Sequence, residues 1–327
     1  KVSRLAKKAK SFDAKTICRF EYICVADLLG ARFKLKPQIP RIDGHEFITE
    51  EGSKGIIFEE SFEDNILKRW ALMDFNDKDL KAAADHIKIR SYDLEKSRSI
   101  MANLYPKNAK HTSLKEISAW IEYAFSIYPA QWELIESKMN ILNLAQLEKG
   151  RIRDRWKAEN QPKFKDFSAY AFYCYRLGSI FWLGVTSGII PTSKKEKTII
   201  DYQYLFYIPF IHTFCSNDKF HKQFSEYFLR TDQDFVWGDN LKKDLGVISS
   251  CYKNMTKKEK VYYEKNFGHY PPPIQNSITN KLWQKHMRPW SPGSGNLAID
   301  MPEKRKKKMA EKINRIIKIY EESRGKR

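Results

Sequence analysis

Residues 198–229 read TIIDYQYLFYIPFIHTFCSNDKFHKQFSEYFL, and their order decides the fold. Thr198 to Ile208 is patterned as a helix that should stop before Pro209, since a proline disfavours the helical state in the residue ahead of it. Ile211 to Cys215 is an apolar run of strand length. Ser216, Asn217 and Asp218 are residue types that cap helices, so they open a second helix, Lys219 to Leu229. Helix, strand, helix is an α/β unit.

Two carboxylates stand out in that unit. Asp201, Tyr204, Leu205 and Ile208 are spaced i, i+3, i+4, i+7, which puts Asp201 in line with an apolar stripe. A carboxylate so placed is costly unless it is paired, protonated or bound to a metal. Asp218 directly follows the strand, at the edge where open α/β sheets bind ligands. Farther upstream, Tyr22 to Ala26 reads as a short buried strand, and Asp27 follows it. Three carboxylates meeting at strand ends make a hard oxygen site suited to Mg²⁺ or Mn²⁺. Each acid also has a plainer reading: Asp218 as a helix cap, Asp201 as a first-turn acid favoured by the helix dipole.

Outward from this segment, residues 34–56 are rich in proline, glycine and charge and read as loop. From about 60 to 158 the apolar spacing is helical, as in Trp120, Tyr123, Ala124 and Tyr128. Residues 159–167 are polar and mark a boundary or a surface loop. Ala171 to Ile190 is long and apolar enough to suggest a membrane span. Arg176 lies within it and three glycines interrupt it, so a buried central helix is the better reading and no membrane is expected. After residue 230 the sequence predicts a turn at Gly238 followed by a helix, a break at the three prolines 271–273, and a linker at 289–296. Residues 302–323 form a basic amphipathic helix with Met309, Ile313, Ile316, Ile317 and Tyr320 on one face, which is suited to docking on a protein partner. The expected fold is α/β with helical excess: a small, mainly parallel sheet with a helical insertion at about 60–160. It runs over residues 17–288, with a basic arm at 1–16 and a basic tail at 289–327.

The chain carries 59 Lys and Arg against 40 Asp and Glu, a formal charge of +19. Residues 1–16 hold six bases and one acid, and residues 301–327 hold eleven bases and four acids. Basic tails on a moderately basic body are the footprint of phosphate-backbone contact. Lys304, Arg305, Lys306, Lys307 and Lys308 are consecutive and cannot all be paired locally, so they are the expected nucleic-acid contacts, together with Lys219. Five cysteines without a C-x-x-C pair read as reduced thiols, and no secretory signal stands out, so a cytoplasmic location is expected.

Asp201, then sixteen residues, then Asp218, preceded by a short strand ending in Ser216, resembles the C-terminal half of a PIN-domain nuclease. In that family one acid stands on a helix, and the following strand ends in a Thr/Ser-x-Asp motif. DYQYLFYIPFIHTFCSNDKFH also resembles a stretch in a group of bacterial PIN-like proteins, with further likeness at Asp232 to Phe235, Gly238, Leu241-Lys242 and 282–287. The resemblance implies a metal-dependent nuclease. Asp27, Asp201 and Asp218 would hold Mg²⁺ or Mn²⁺, and Ser216 would support them. RNA is the implied substrate ahead of DNA, and a toxin or phage-defence role is implied. Ala26 to Phe33 would follow the first strand. The alternative is a non-catalytic nucleic-acid-binding or scaffold subunit, because the family's remaining acid has no assigned counterpart here.

Other chemistries have little support. His212, Cys215 and His221 lack a fourth zinc ligand. His269, Asn276, Asn280 and His286 are a faint match to an HNH nuclease. No P-loop or dinucleotide fingerprint is present, and no Ser/His/Asp set stands in a recognisable context.

Overall fold

A computed structural model describes residues 19–38, 40, 111–190, 201–267 and 270–287, the backbone of two strands at 44–48 and 54–58, and single residues 69, 72, 77, 307 and 311. The basic arm, most of the expected C-terminal helix at 302–323 and most of residues 60–110 lie outside the described residues. The main described segments divide into two compact units. One holds 19–40, 111–190, 201–211 and 219–230. The other holds 212–218 and 231–287.

The first unit is helical. It comprises α1 (Phe20–Leu28), α2 (Leu114–Ile127), α3 (Gln131–Ile141), α4 (Gln146–Ala158), the one-turn α5 (Phe164–Phe167) and α6 (Ala169–Thr186). A helical turn at 201–204 then tightens into a 3-10 helix, Leu205–Phe210, and α7 (Lys219–Ser225) completes the unit. Residues 159–167 do not separate domains; the turn and α5 that they form pack within this unit.

The strand expected at Tyr22–Ala26 is instead part of α1. The buried residues are Ile23, Cys24, Asp27 and Leu28, a helical spacing, while Tyr22 is half exposed. A five-residue apolar run fits either period, so here tertiary contact with α6 decides.

α6 is the core of this unit and is buried on nearly every side. Its one charge is paired, although Arg176 Nε is buried without a hydrogen-bond partner among the described residues. The Arg176 guanidinium reaches Glu122 at 2.5 Å and the Tyr227 carbonyl at 3.4 Å, and it lies 4.7 Å from the Phe228 ring. Among the described residues no helix is long and apolar enough to cross a membrane. Gly178 leaves a notch in α6: a Cβ there would stand 3.1 Å from the Tyr202 hydroxyl. The Tyr202 ring stacks on Phe181 at 4.1 Å beside it. Tyr170 and Tyr173 donate their hydroxyls to the carbonyls of Phe206 and Leu205, which fastens the 3-10 helix to α6.

Pro209 lies inside that 3-10 helix rather than beyond the end of a helix. Proline supplies no N–H for the Phe206 carbonyl three residues back, and the Tyr170 hydroxyl serves that carbonyl instead, while Arg230 takes the Pro209 carbonyl at 3.1 Å. The narrower 3-10 period also breaks the expected stripe. Leu205 and Ile208 are buried, but Tyr204 is 56% exposed.

Residues 34–56 are not all loop. Gly44–Ile48 (β1) and Lys54–Phe58 (β2) form a two-stranded sheet. The second unit is built on another pair, β3 (Thr213–Ser216) and β4 (Asp234–Trp237), which run parallel with Phe214 opposite Phe235 and Ser216 opposite Trp237. The helices α8 (Gly238–Asn254), α9 (Lys257–Phe267) and α10 (Ile278–His286) follow. The fold is therefore α/β with a large helical excess. The strand at Asp234 and the start of α8 at Gly238 replace the expected turn. Asp244 of α8 orders the start of α10, accepting from Ser277 Oγ at 3.0 Å and from the Thr279 backbone N–H at 2.8 Å.

Candidate active site

The Ser216-Asn217-Asp218 turn stands at the C-terminal end of β3, beside the C-terminal end of β4. Ser216 Oγ accepts from the Asp218 backbone N–H at 3.0 Å, which fixes the path of the turn. Asn217 joins the turn to the first residues of α8. Its Nδ2 donates to Asp239 Oδ1 at 2.9 Å, and its Oδ1 accepts from the Asp239 backbone N–H at 2.8 Å. That pairing covers Gly238 closely, since a Cβ there would lie 2.8 Å from Asn217 Oδ1. Asp218 is half-buried. Four polar side chains, those of Ser216, Asn217, Asp218 and Asp239, thus gather at the carboxyl edge of two parallel strands, where α/β sheets bind ligands.

Asp201 lies in the helical residues 201–204 and is half-buried. Its carbonyl lies 2.7 Å from His221 Nε2. His221 is 5% exposed and stands on α7, the helix that follows Asp218 in the chain. The zinc reading of His221 finds no support in this contact, which spends the ring nitrogen on a backbone oxygen.

Asp27 is 2% exposed and stands on a helix, not at a strand end. Its Oδ2 accepts from the backbone N–H groups of Tyr170 and Ala171 at 2.9 and 3.0 Å. These are N–H groups of the first turn of α6, which a capping side chain normally satisfies. Ser168, the residue at the cap position, instead donates its hydroxyl to the Asp27 carbonyl at 3.2 Å. Burial pushes the Asp27 carboxyl above its ordinary value, against the backbone hydrogen bonds and the Arg155 charge that pull it down. Asp27 is therefore engaged as a helix cap in the core of the first unit.

Among the remaining expected contacts, Lys219 is exposed at the start of α7 and Lys307 is helical and exposed. Lys304, Arg305, Lys306 and Lys308 lie outside the described residues. Cys24 and Cys174 are buried, whereas Cys215 is exposed.

Asp239 and Arg155 were not singled out from sequence, whereas Asp234 and His286 were named there without their pairing. Asp239 follows Gly238 at a strand-to-helix junction, and an unrecognised β4 hid that junction. Asp234 accepts from Lys285 Nζ at 2.8 and 2.9 Å and pairs with His286 Nε2 at 2.6 Å. Arg155 binds the carbonyls of Asp27, Leu28 and Phe167. Asp201 and Asp218 are hard oxygen donors of the kind Mg²⁺ and Mn²⁺ take. No group of three or more His, Cys, Asp or Glu side chains is gathered for a metal among the described residues. No family model, curated protein or solved structure matches the chain.

Proposed function

We propose that this protein is a metal-dependent nuclease of PIN-like type that cuts RNA. The observation that carries the reading is the Ser216-Asn217-Asp218 turn at the carboxyl edge of the parallel pair β3–β4, with Ser216 Oγ holding the Asp218 backbone. A Ser-x-Asp turn ending a strand is the element on which the resemblance rests. Asp218 and Asp201 are the carboxylates we assign to a Mg²⁺ or Mn²⁺ ion, on their sixteen-residue spacing. Such an ion lowers the pKa of bound water and offsets charge on a phosphodiester in the transition state. Ser216 orients the Asp218 turn. Lysines on the surface supply non-specific attraction to the phosphate backbone.

The pairing of Asp27 with the start of α6 favours a second reading, a nucleic-acid-binding subunit without catalysis, since it gives one of the expected acids a structural role. One experiment separates the two. Labelled single-stranded RNA and DNA are incubated with Mg²⁺ or Mn²⁺ and wild type, Asp201→Asn or Asp218→Asn. Cleavage of RNA that depends on metal and is lost in both variants establishes the nuclease. Absence of cleavage alongside tight, salt-sensitive binding in all three proteins establishes the binding subunit. Cleavage of DNA alone overturns the choice of substrate.

A further inference from the structure

α8 and α9 enclose an open cleft of about 490 Å³ in the second unit. One wall is a single face of α8: Leu245, Ile248, Ser249, Tyr252 and Lys253. The other is Lys260 and Glu264, one turn apart on α9. The lining thus combines apolar and aromatic side chains with two lysines and one glutamate, Glu264. Its volume falls in the range of small-ligand sites, roughly 300–1,000 Å³.

The charge around the cleft has one sign in excess. Residues 253–265 hold five lysines against two glutamates, a surplus of three. Of those glutamates, Glu259 is engaged locally, accepting from the backbone N–H and hydroxyl of Thr256. Among the described residues Lys253, Lys257, Lys258, Lys260 and Lys265 make no ion pair. On the outer face of α9, Tyr262 is 64% exposed, with Lys258 four residues before it and Lys265 three after. Residues at that spacing are neighbours on a helix surface, so cations flank an open aromatic ring.

We propose that the α8–α9 cleft and the adjoining face of α9 bind single-stranded RNA, with Lys253 and Lys260 on phosphates and Tyr252 and Tyr262 against bases. Unpaired cations interleaved with aromatic rings are what a flexible polyanion with π faces requires. An acidic peptide would satisfy the lysines but make no use of the exposed Tyr262 ring. The inference deepens the nuclease reading by naming where its RNA lies, and it takes the choice of RNA from that reading.

The test is fluorescence anisotropy with a fluorescein-labelled single-stranded RNA twelve-mer and full-length protein, in EDTA, across a series of salt concentrations. Asp218→Asn is the reference, and Lys253→Ala/Lys260→Ala and Tyr262→Ala are added to it. The double lysine variant is expected to weaken binding at least tenfold. It should lower the slope of log affinity against log salt by about 1.4, at about 0.7 for each phosphate of a single strand that the protein no longer neutralises. Tyr262→Ala is expected to weaken binding about fivefold or more with the slope unchanged, as loss of stacking requires. Unchanged affinity and slope in both variants, with circular dichroism of the reference, overturns the assignment. So does displacement of the RNA by a polyglutamate twelve-mer at equal concentration, which would make the cleft a site for acidic protein. Because no metal is present, the outcome is independent of cleavage. Normal RNA binding through these lysines in a protein that never cleaves would sink the nuclease reading and leave this one standing.

Discussion

Arg155 Nη1 donates to the carbonyl of Asp27 at 2.9 Å, and the same nitrogen reaches the Leu28 carbonyl at 2.8 Å. These are carbonyls of the last turn of α1; the Asp27 carbonyl also accepts from the Gly30 N–H at 3.1 Å and from the Ser168 hydroxyl. Nη2 takes the Phe167 carbonyl at 3.0 Å, Nε takes Glu159, and the guanidinium lies 4.1 Å from the Phe167 ring. One side chain thus closes α1, α4 and α5 together. Arg155→Ala is expected to lower unfolding free energy by about 3 kcal/mol, because it leaves the Leu28 and Phe167 carbonyls unmet in a mostly buried place. Arg155→Lys should recover less than half, since an ammonium lacks the planar fork. Urea unfolding of the three proteins measures both. A loss under about 1 kcal/mol in the alanine variant would show that water replaces the guanidinium.

The other side of the same junction titrates. Burial raises the Asp27 carboxyl above its ordinary value. The folded chain then holds this proton more tightly than the unfolded chain does. Stability from this group is full below the ordinary aspartate value and declines as pH rises through the folded one. Asp27→Asn keeps an oxygen for the Tyr170 and Ala171 N–H groups and has no charge to bury. It is expected to abolish that decline, so its stability relative to wild type rises across the window. Asp27→Ala, which removes the cap, should lose about 1–2 kcal/mol. Urea midpoints against pH distinguish these outcomes. In the cleavage assay Asp27→Asn should retain activity, unlike Asp201→Asn and Asp218→Asn; an inactive, well-folded Asp27→Asn would return Asp27 to the metal set.

The segment from Ile211 to Asp218 was legible because its signals agree: an apolar run, then three cap-forming residues, gives strand and turn in either period. α6 was legible for a similar reason, since Arg176 and the glycines ruled against a membrane span and the structure buries that charge against Glu122 and Tyr227. Tyr22–Ala26 was misread because a short apolar run carries no period of its own. Its helical state is fixed by α6 and by Arg155, 128 residues away from Asp27. β4 went unseen because four residues, Asp-Phe-Val-Trp, become a strand only when β3 supplies the ladder. The role of Asp27 was invisible for the same reason: the N–H groups it caps belong to residues more than 140 positions downstream.

Gly238 is predicted to control the shape of the Asp218 turn. A methyl group there would press on Asn217 Oδ1 at 2.8 Å, closer than ordinary Cβ contacts. Gly238→Ala should cost about 1–3 kcal/mol, the usual range for overpacking. Asn217→Ala removes the obstacle along with both hydrogen bonds to Asp239. The double variant should therefore be more stable than the sum of the single losses allows, by at least about 0.5 kcal/mol. Thermal or urea denaturation of the four proteins completes the cycle. Strict additivity would mean that Asn217 swings away at no cost. If the nuclease reading holds, Gly238→Ala should also reduce cleavage by about tenfold to a hundredfold, since small displacements of a catalytic group have effects of that size.

At the opposite end of β4, Asp234 is held by Lys285 and His286 of α10, with His212 4.8 Å from the His286 ring. Burial alone would raise the Asp234 carboxyl. The hydrogen bonds and charges of Lys285 and His286 together outweigh it and hold the carboxyl below its ordinary value. The unfolded chain therefore takes up this proton more readily than the folded one. The contribution is present above the ordinary aspartate value and disappears as pH falls through the depressed one. Lys285 is about two-fifths exposed, so solvent screens its share, and the pair is expected to contribute about 1 kcal/mol at neutral pH. Asp234→Asn should be less stable than wild type by about that amount at pH 7, and the two should converge in acid. A gap that persists below the depressed value would assign the loss to packing of α10 rather than to charge. High salt offers an independent check, since it should narrow the gap by weakening the exposed Lys285 contact while leaving the His286 hydrogen bond, whose side chain is 8% exposed, in place.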